Sequence, residues 1–146
     1  MANLKFSGAD VVELAAKYGT PLYVVSEDYI VDRCSEIKGD FLNRYENTMA
    51  VYASKAFLTK EMARIIAREG LGMDVVSGGE LYTANRACFP MDKIYFHGNN
   101  KSIDELIMAI DLGVGRIVVD NEYELNLLNR LSIERKKKTR VLFRIT

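Results

Sequence analysis

Polar residues that could take part in chemistry follow several short apolar runs of this 146-residue sequence: Lys55, Asp74, His97 and Arg144. In parallel α/β sheets and barrels, ligands bind at the carboxyl ends of the strands. If the apolar runs are parallel strands, these residues end at one edge of the sheet. A lysine amine can attack an aldehyde, and the other groups can hold protons or ligand oxygens. The spacing therefore predicts a small-molecule site at that edge.

Lys55 is the most informative of these residues. In MAVYASKA it shares strand phase with Val51 and Ala53, so we expect its side chain to point toward the interior of the sheet. A buried ammonium is costly unless it loses its charge or gains an anion, and only the neutral amine attacks an aldehyde. The alternative is a lysine just past the strand end that extends to solvent. Spacing alone leaves both interpretations open.

The other strand-end residues each have two interpretations. Asp74 ends an apolar run and could supply the anion for Lys55, or it could be a solvated carboxylate. His97 is the only histidine and opens the polar segment HGNNK; without partnering cysteines it does not indicate a zinc site, and we predict no metal. Arg144 alternates with Leu142 and is expected to face inward, which implies a ligand oxygen or an acidic partner.

The segment Ser77-Gly78-Gly79-Glu80 follows the second apolar strand. Its amides could cradle an anion at a helix N-terminus. A capping box, in which serine and glutamate satisfy the first amides of the helix, explains the same residues. Two later segments have the same spacing: Ser102 with Glu105, and Asn121 with Glu124.

Alternating strands and helices must position these residues. Apolar strands are predicted around residues 48–54, 72–76, 93–96, 116–119 and 140–145, with helices between them. This alternation predicts either an open doubly wound sheet or part of a (β/α)8 barrel. Neither G-x-G-x-x-G nor G-x-x-x-x-G-K-[ST] follows a strand, and the strand around Val51 is followed by a lysine, Lys55, instead, which favours the barrel.

A different pattern precedes this alternation. It predicts a helix over 9–18 that Gly19 stops and a short strand over 22–25. A second helix, capped by Ser26, is predicted to run to about Arg44. Within it an apolar stripe at helical spacing makes Cys34 a core residue rather than a reactive one.

Composition narrows the function classes. The sequence is 49% hydrophobic and 27% charged, with a formal net charge of zero, which argues against disorder and against a generic polyanion binder. Two cysteines are too few for a disulfide framework and suggest a reducing compartment. No apolar run reaches the roughly 18 residues of a membrane helix, and the N-terminus has no secretory h-region. We therefore expect a cytoplasmic protein.

Several strings of the sequence resemble the N-terminal part of bacterial diaminopimelate decarboxylases, which are pyridoxal-phosphate enzymes built on an alanine-racemase-like barrel. The two most specific strings are YASKA and FHGNNKS. The resemblance extends from Thr20 to the last residue through four further strings: TPLYVVSEDYI, GMDVVSGGELYTA, GVGRIVVDNEYEL and VLFRIT. One departure is Cys88 in RACFP, where such sequences usually carry glycine.

The resemblance implies roles for individual residues. Lys55 would carry pyridoxal 5'-phosphate covalently, as the catalytic residue. Asp74, Arg144, His97 and Glu80 would surround the cofactor. The implied reaction is decarboxylation of meso-2,6-diaminopimelate to L-lysine and carbon dioxide, the last step of bacterial lysine biosynthesis. Alternatives are a non-catalytic pyridoxal-phosphate-binding module, a related basic amino-acid decarboxylase, or an open-sheet interaction domain.

The resemblance also implies an incomplete architecture. A complete barrel takes ~250 residues, so we expect an α/β fold comprising about the first five βα units of a (β/α)8 TIM-type barrel, preceded by an N-terminal helix and strand. Residues 1–25 would pack with a β-domain in the full-length family, and residues 26–146 would form the N-terminal part of the cofactor-binding barrel. The family's phosphate loop, the carboxylate that pairs with the pyridine nitrogen and its substrate-reading residues would lie beyond Thr146, in a homodimer with shared active sites.

Overall fold

The computed structural model describes residues 3–145; Met1, Ala2 and Thr146, at the outer ends of the two predicted domains, lie outside the described residues. The chain divides into two compact units after Glu46. The first unit contains strands β1 (Lys5–Phe6) and β2 (Ala9–Asp10) and helices α1 (Val11–Tyr18) and α2 (Glu27–Ile37).

Local interactions explain the start of the first unit. Ser7 and Gly8 adopt positive φ angles of 46° and 81° and turn β1 back onto antiparallel β2. Asp10 then caps α1, because its Oδ1 accepts hydrogen bonds from the amides of Val12 and Glu13 at 2.9 and 3.2 Å. The helix predicted over 9–18 therefore begins two residues later. The hairpin of β1 and β2 was not predicted from the sequence.

Two predictions for the first unit are wrong. Residues 22–25 are exposed and form no strand, because they have no ladder partner among residues 3–145. Helix α2 begins after its predicted cap Ser26 but ends at Ile37, where a π-helical turn, Lys38–Leu42, replaces the predicted continuation. Cys34 is buried, as predicted.

The second unit alternates strands and helices. All five predicted strands are present, each with bounds that differ from the expected ones by at most three residues. The elements are β3 (Val51–Ala53), α3 (Lys60–Arg68), β4 (Gly72–Val75), α4 (Gly78–Arg86), β5 (Ile94–Phe96), α5 (Ile103–Leu112), β6 (Arg116–Val119), α6 (Glu122–Glu134) and β7 (Val141–Phe143).

The strand order distinguishes the two predicted architectures. All five strands are parallel, and they lie in sequential order from β3 to β7. Crossovers between parallel strands are right-handed, so a strictly sequential order puts every connecting helix on the same face of the sheet. A doubly wound sheet reverses its order and has helices on both faces. The second unit therefore has the winding of a (β/α)8 barrel, over five strands.

The two faces of this sheet differ in chemistry. Strands β4 and β5 bury Met73, Val75, Ile94 and Phe96 completely, on the face that the apolar sides of the helices cover. On the other face Ala53, Asp74, Tyr95 and Arg116 lie in register across four strands and are half-buried. The second face corresponds to the inside of a barrel, and it carries the polar residues.

The helices of the second unit end in similar turns. A residue with positive φ follows each of α3 to α6: Gly70, Cys88, Gly113 and Lys136, at 80°, 60°, 72° and 54°. After α4, the amide of Phe89 donates to the carbonyl of Ala84 and the amide of Cys88 to that of Asn85, the Schellman pattern. Cys88 thus occupies a left-handed position that favours glycine. Across residues 3–145, no helix has the length and apolar character needed to cross a membrane.

Candidate functional site

Lys55 lies immediately beyond the carboxyl end of β3, in a 3-10 turn over Ser54–Ala56. The buried Ser54 hydroxyl donates to the carbonyl of Asp74 at 2.7 Å and fixes this turn against β4. The expectation that Lys55 continues the phase of β3 into a buried position is wrong, because the strand ends at Ala53 and Lys55 lies in the turn beyond it. Lys55 is exposed in the described chain. Its amine therefore extends from the edge of the sheet.

Asp74 lies next to last in β4 and is half-buried. Its Oδ1 is buried and has no hydrogen-bond partner among the described residues. Burial raises the pKa of Asp74, and Glu80 acts in the same direction, while the charges of His97 and Lys55 act in the opposite direction. Asp74, Lys55, His97 and Glu80 are therefore close enough to interact electrostatically. An unsatisfied buried oxygen is costly, which marks this carboxyl as a candidate ligand contact.

Glu80 and the SGGE segment have structural partners. The Ser77 hydroxyl accepts the Glu80 amide at 3.3 Å, and Glu80 Oε2 accepts the Val76 amide at 2.6 Å. The Gly78 amide donates to Glu105 Oε1 at 2.6 Å. Protein oxygens thus occupy these amides, which favours capping over the anion cradle. The reciprocal capping box itself forms at Ser102 and Glu105.

His97 directly follows β5, and its amide continues the ladder by donating to the carbonyl of Val75 at 2.8 Å. The side chain is half-buried beside Asp74. The segment His97–Lys101 closes on itself through Lys101, whose ammonium lies 2.5 Å from the Gly98 carbonyl oxygen. His97 therefore lies at the same edge of the sheet as Lys55 and Asp74.

The Lys101–Glu124 ion pair is a feature that the sequence analysis missed. Lys101 Nζ lies 2.7 Å from Glu124 Oε1, and the two side chains are 1% and 8% exposed. Glu124 was predicted only as part of a capping motif, and Lys101 only as the end of HGNNK. No local spacing signals this pair, since it joins two different βα units.

Arg144 also lies at the carboxyl end of its strand, but it follows β7, the outer strand farthest from the β3 strand that Lys55 follows. Its amide donates to the carbonyl of Val119 at 2.9 Å, and its Nη1 lies 3.3 Å from Asp120 Oδ1. The acidic partner predicted for Arg144 is therefore Asp120. Asp120 was not predicted as a site residue, although it directly follows β6 and thus lies at a strand end, as Asp74 and His97 do.

The arrangement combines an exposed primary amine, a buried carboxyl oxygen without a donor and an imidazole, all at the carboxyl ends of adjacent strands. An amine can bind an aldehyde covalently, and the carboxyl and imidazole can exchange protons with a bound molecule. Within the described residues, no three His, Cys, Asp or Glu side chains cluster as a metal site would require.

Comparison with known proteins agrees with this chemistry. The family model for the pyridoxal-dependent decarboxylases, pyridoxal binding domain, matches residues 27–146. Diaminopimelate decarboxylase from Bacillus methanolicus is 49% identical over 144 residues, which are 99% of this chain and 33% of that protein. The chain thus spans about a third of the length of such curated relatives.

Solved structures give the same result. The crystal structure of diaminopimelate decarboxylase from M. jannaschii matches with a TM-score of 0.90 and 41% identity, covering 97% of this chain and 33% of that one. A co-complex of the M. jannaschii enzyme with L-lysine matches with a TM-score of 0.88 and 40% identity, over 95% of this chain and 33% of that one. With the family model matching most of its length, the chain belongs to the pyridoxal-dependent decarboxylases, as their pyridoxal binding domain.

Proposed function

We propose that this chain is the cofactor-binding part of a diaminopimelate decarboxylase and that Lys55 is its covalent anchor for pyridoxal phosphate. One observation carries the proposal: the exposed Lys55 amine lies at the sheet edge beside Asp74, whose buried Oδ1 has no donor among the described residues. A bound ligand that donates a hydrogen bond to this oxygen would explain why a buried carboxyl oxygen has no donor in the protein.

The residues at this edge fit pyridoxal phosphate. When bound, the cofactor supplies an aldehyde carbon for amines and an electron-withdrawing ring that stabilises negative charge on the substrate α-carbon. Lys55 would hold it covalently. Asp74 and His97 would contact it from the neighbouring strands β4 and β5. Arg144 would bind one of its oxygens from the carboxyl end of the outer strand β7.

Each side chain has a distinct task in this proposal. Lys55 must present an uncharged amine, and the Asp74 carboxyl, whose pKa burial raises, can hold a proton next to it. Asp120 fixes the direction of the Arg144 guanidinium through their contact at 3.3 Å. Glu80 acts through structure, since its Oε2 holds the Val76 amide just after β4.

The proposed reaction is the conversion of meso-2,6-diaminopimelate to L-lysine and carbon dioxide, the last step of lysine biosynthesis. The carbon–carbon bond to one carboxylate breaks, carbon dioxide leaves, and a proton takes its place on the α-carbon. The name of the B. methanolicus relative and the L-lysine in the M. jannaschii complex support this choice of substrate and product.

The test is to offer the purified complete gene product, with pyridoxal phosphate, meso-diaminopimelate, ornithine, arginine and lysine separately. We expect carbon dioxide release and L-lysine formation from meso-diaminopimelate, and none above background after Lys55→Ala. Turnover of another amino acid in its place would support a related basic amino-acid decarboxylase. Cofactor binding without any turnover would support a non-catalytic module.

We also propose that the complete protein is a cytoplasmic homodimer with shared active sites, as the family resemblance implies. Cys34 and Cys88 are not joined by a disulfide, which suits a reducing compartment. Light scattering of the complete gene product would give the mass of a dimer, and a monomer that retains full activity would contradict shared sites.

A further inference from the structure

The lysine at the end of the HGNNK segment has an unusual environment. Lys101 Nζ lies 2.5 Å from the Gly98 carbonyl oxygen, 2.8 Å from the Val118 carbonyl oxygen and 2.7 Å from Glu124 Oε1. Its side chain is 1% exposed, and the Phe96 ring centroid lies 5.8 Å from the ammonium. The ammonium thus donates hydrogen bonds to two backbone carbonyls and forms an ion pair with Glu124, so its contacts come from three different segments of the chain.

These contacts hold the segment His97–Lys101 against the next βα unit. Val118 belongs to β6 and Glu124 to the first turn of α6, whereas Gly98 directly follows His97. Gly98 has a φ angle of 112°, a conformation that residues with a side chain rarely adopt, and glycine is the most flexible residue when it is not held by other contacts. Lys101 contacts this glycine through its carbonyl oxygen.

The same ion pair extends to Arg144. Glu124 uses its second oxygen, Oε2, to accept the Asp120 amide at 2.9 Å, and Asp120 in turn contacts Arg144. Lys101 and Glu124 therefore lie between two residues that the proposed function assigns to the cofactor, His97 and Arg144. Neither member of the ion pair is placed against the cofactor itself.

We propose that Lys101, paired with Glu124, is a positioning residue for the cofactor site: it sets the loop that carries His97 and, through Glu124, the strand end that faces Arg144. The cofactor part of this inference rests on the proposed function. The loop part does not, because it concerns contacts within the described chain.

The decisive variants are Lys101→Met and the double variant Lys101→Met/Glu124→Gln, made in the complete gene product. The single variant leaves the Glu124 carboxylate buried without its cation, which by itself destabilises the fold. The double variant removes that charge while a glutamine oxygen can still accept the Asp120 amide. Lys93→Met is the matched control: Lys93 precedes β5, at the opposite end of the same strand, and its Nζ also donates to a backbone carbonyl, that of Gly70 at 3.1 Å.

The first measurement is amide hydrogen exchange without cofactor. In the double variant we expect exchange over residues 97–101 to rise about tenfold while α5 stays protected, because the loop loses its only ammonium contact among the described residues. Lys93→Met should leave this segment unchanged. Unchanged exchange over 97–101 in the double variant would overturn the proposal, whatever the protein binds.

The second measurement is the dissociation constant for pyridoxal phosphate, with the thermal midpoint measured in parallel. Loss of positioning should weaken binding about tenfold in the double variant even where the thermal midpoint recovers relative to Lys101→Met. If the dissociation constant and the thermal midpoint of the double variant both return to parental values, the ion pair has only a structural role, and Lys101 is not a positioning residue. If the parental protein binds no cofactor, the proposed function fails, and the exchange measurement alone decides the loop part.

Discussion

Asp74 illustrates how much a single residue can indicate about the site. Its carboxyl is costly to the fold, because burial raises its pKa and one oxygen has no donor among the described residues. The sequence could place Asp74 at a strand end, but it could not separate a solvated carboxylate from a half-buried one. That distinction depends on how closely β3 and β5 flank β4, which only the three-dimensional structure shows.

We predict that Asp74→Asn stabilises the cofactor-free complete gene product at pH 7, raising the thermal midpoint by about 2 °C. A carboxyl whose pKa is higher in the folded state than in the unfolded state destabilises the fold when ionised. This penalty is fully present above the folded-state pKa, shrinks as the pH falls through it, and disappears below the usual aspartate value of 3.8.

Thermal melts of the parent and the variant measure this effect when they are recorded at several pH values between about pH 4 and about pH 8. The exposed Asp92 offers a control, since Asp92→Asn should change the midpoint little. A lower midpoint for Asp74→Asn at pH 7, or a difference that grows toward acid, would contradict the assigned environment.

At the scale of elements, neighbouring βα units are joined at the carboxyl ends of their strands. Glu105 in α5 accepts the Gly78 amide at the start of α4 as well as the amide of its own cap, Ser102, at 2.6 and 2.8 Å. Burial alone would raise the pKa of Glu105, but these hydrogen bonds lower it overall. Glu105, Lys101 and Glu124 thus connect neighbouring βα units at the carboxyl ends of the strands, where the candidate site lies.

The helix ends provide a test at this scale. Cys88 is exposed and has a φ of 60°, at a position where an L-residue costs about 1–2 kcal/mol. We predict that Cys88→Gly raises the free energy of unfolding by about 0.5–1 kcal/mol, since the relief of strain exceeds the flexibility that glycine adds to the unfolded chain. Denaturant unfolding of the complete gene product measures it. Cys88→Ala keeps the strain and removes the thiol, so an equal gain from alanine would show that the thiol, not φ, is responsible.

Sequence analysis predicted the second unit better than the first for a physical reason. Strands β3 to β7 are apolar runs that the helices bury, and such runs are visible in the sequence. Residues 22–25 are equally apolar, but a strand also requires a hydrogen-bonding partner, which no local pattern encodes. The hairpin of β1 and β2 has two residues per strand, too few to show a periodicity.

The candidate site divides in the same way. Lys55, Asp74, His97 and Arg144 could be found because each lies at a strand end. The exposure of Lys55 could not be predicted from the sequence, because it depends on the turn over Ser54–Ala56. The pairing of Lys101 with Glu124 could not be predicted either, because it joins residues 23 positions apart in sequence.

For the whole molecule, the sequential strand order is the decisive feature. Strands β3 and β7 each pair with a single strand in the described chain, and the half-exposed polar face carries Asp74 and Arg116. A (β/α)8 barrel closes such a sheet with further strands and turns this face inward. The relatives are about three times as long as this chain, which agrees with that architecture.

We therefore predict that the 146-residue chain alone has no measurable decarboxylase activity. The family resemblance implies that the phosphate loop, the partner of the pyridine nitrogen and the substrate-reading residues lie in the sequence after the part that this chain matches. Release of carbon dioxide from meso-diaminopimelate, compared between this chain and the complete product of the gene, is the measurement. Turnover by the 146 residues alone would contradict the assignment of those functions to other segments.

Covalent attachment of pyridoxal phosphate to Lys55 can be detected by reducing the bound cofactor onto the lysine that carries it. The complete gene product is incubated with pyridoxal phosphate, reduced with borohydride and digested, and the modified lysine is located by mass spectrometry. Lys60, exposed at the start of α3, serves as the nearby control. We expect stoichiometric modification at Lys55 that persists in Lys60→Ala and is lost in Lys55→Ala. Modification at another lysine, with Lys55 unmodified, would show that Lys55 is not the covalent anchor.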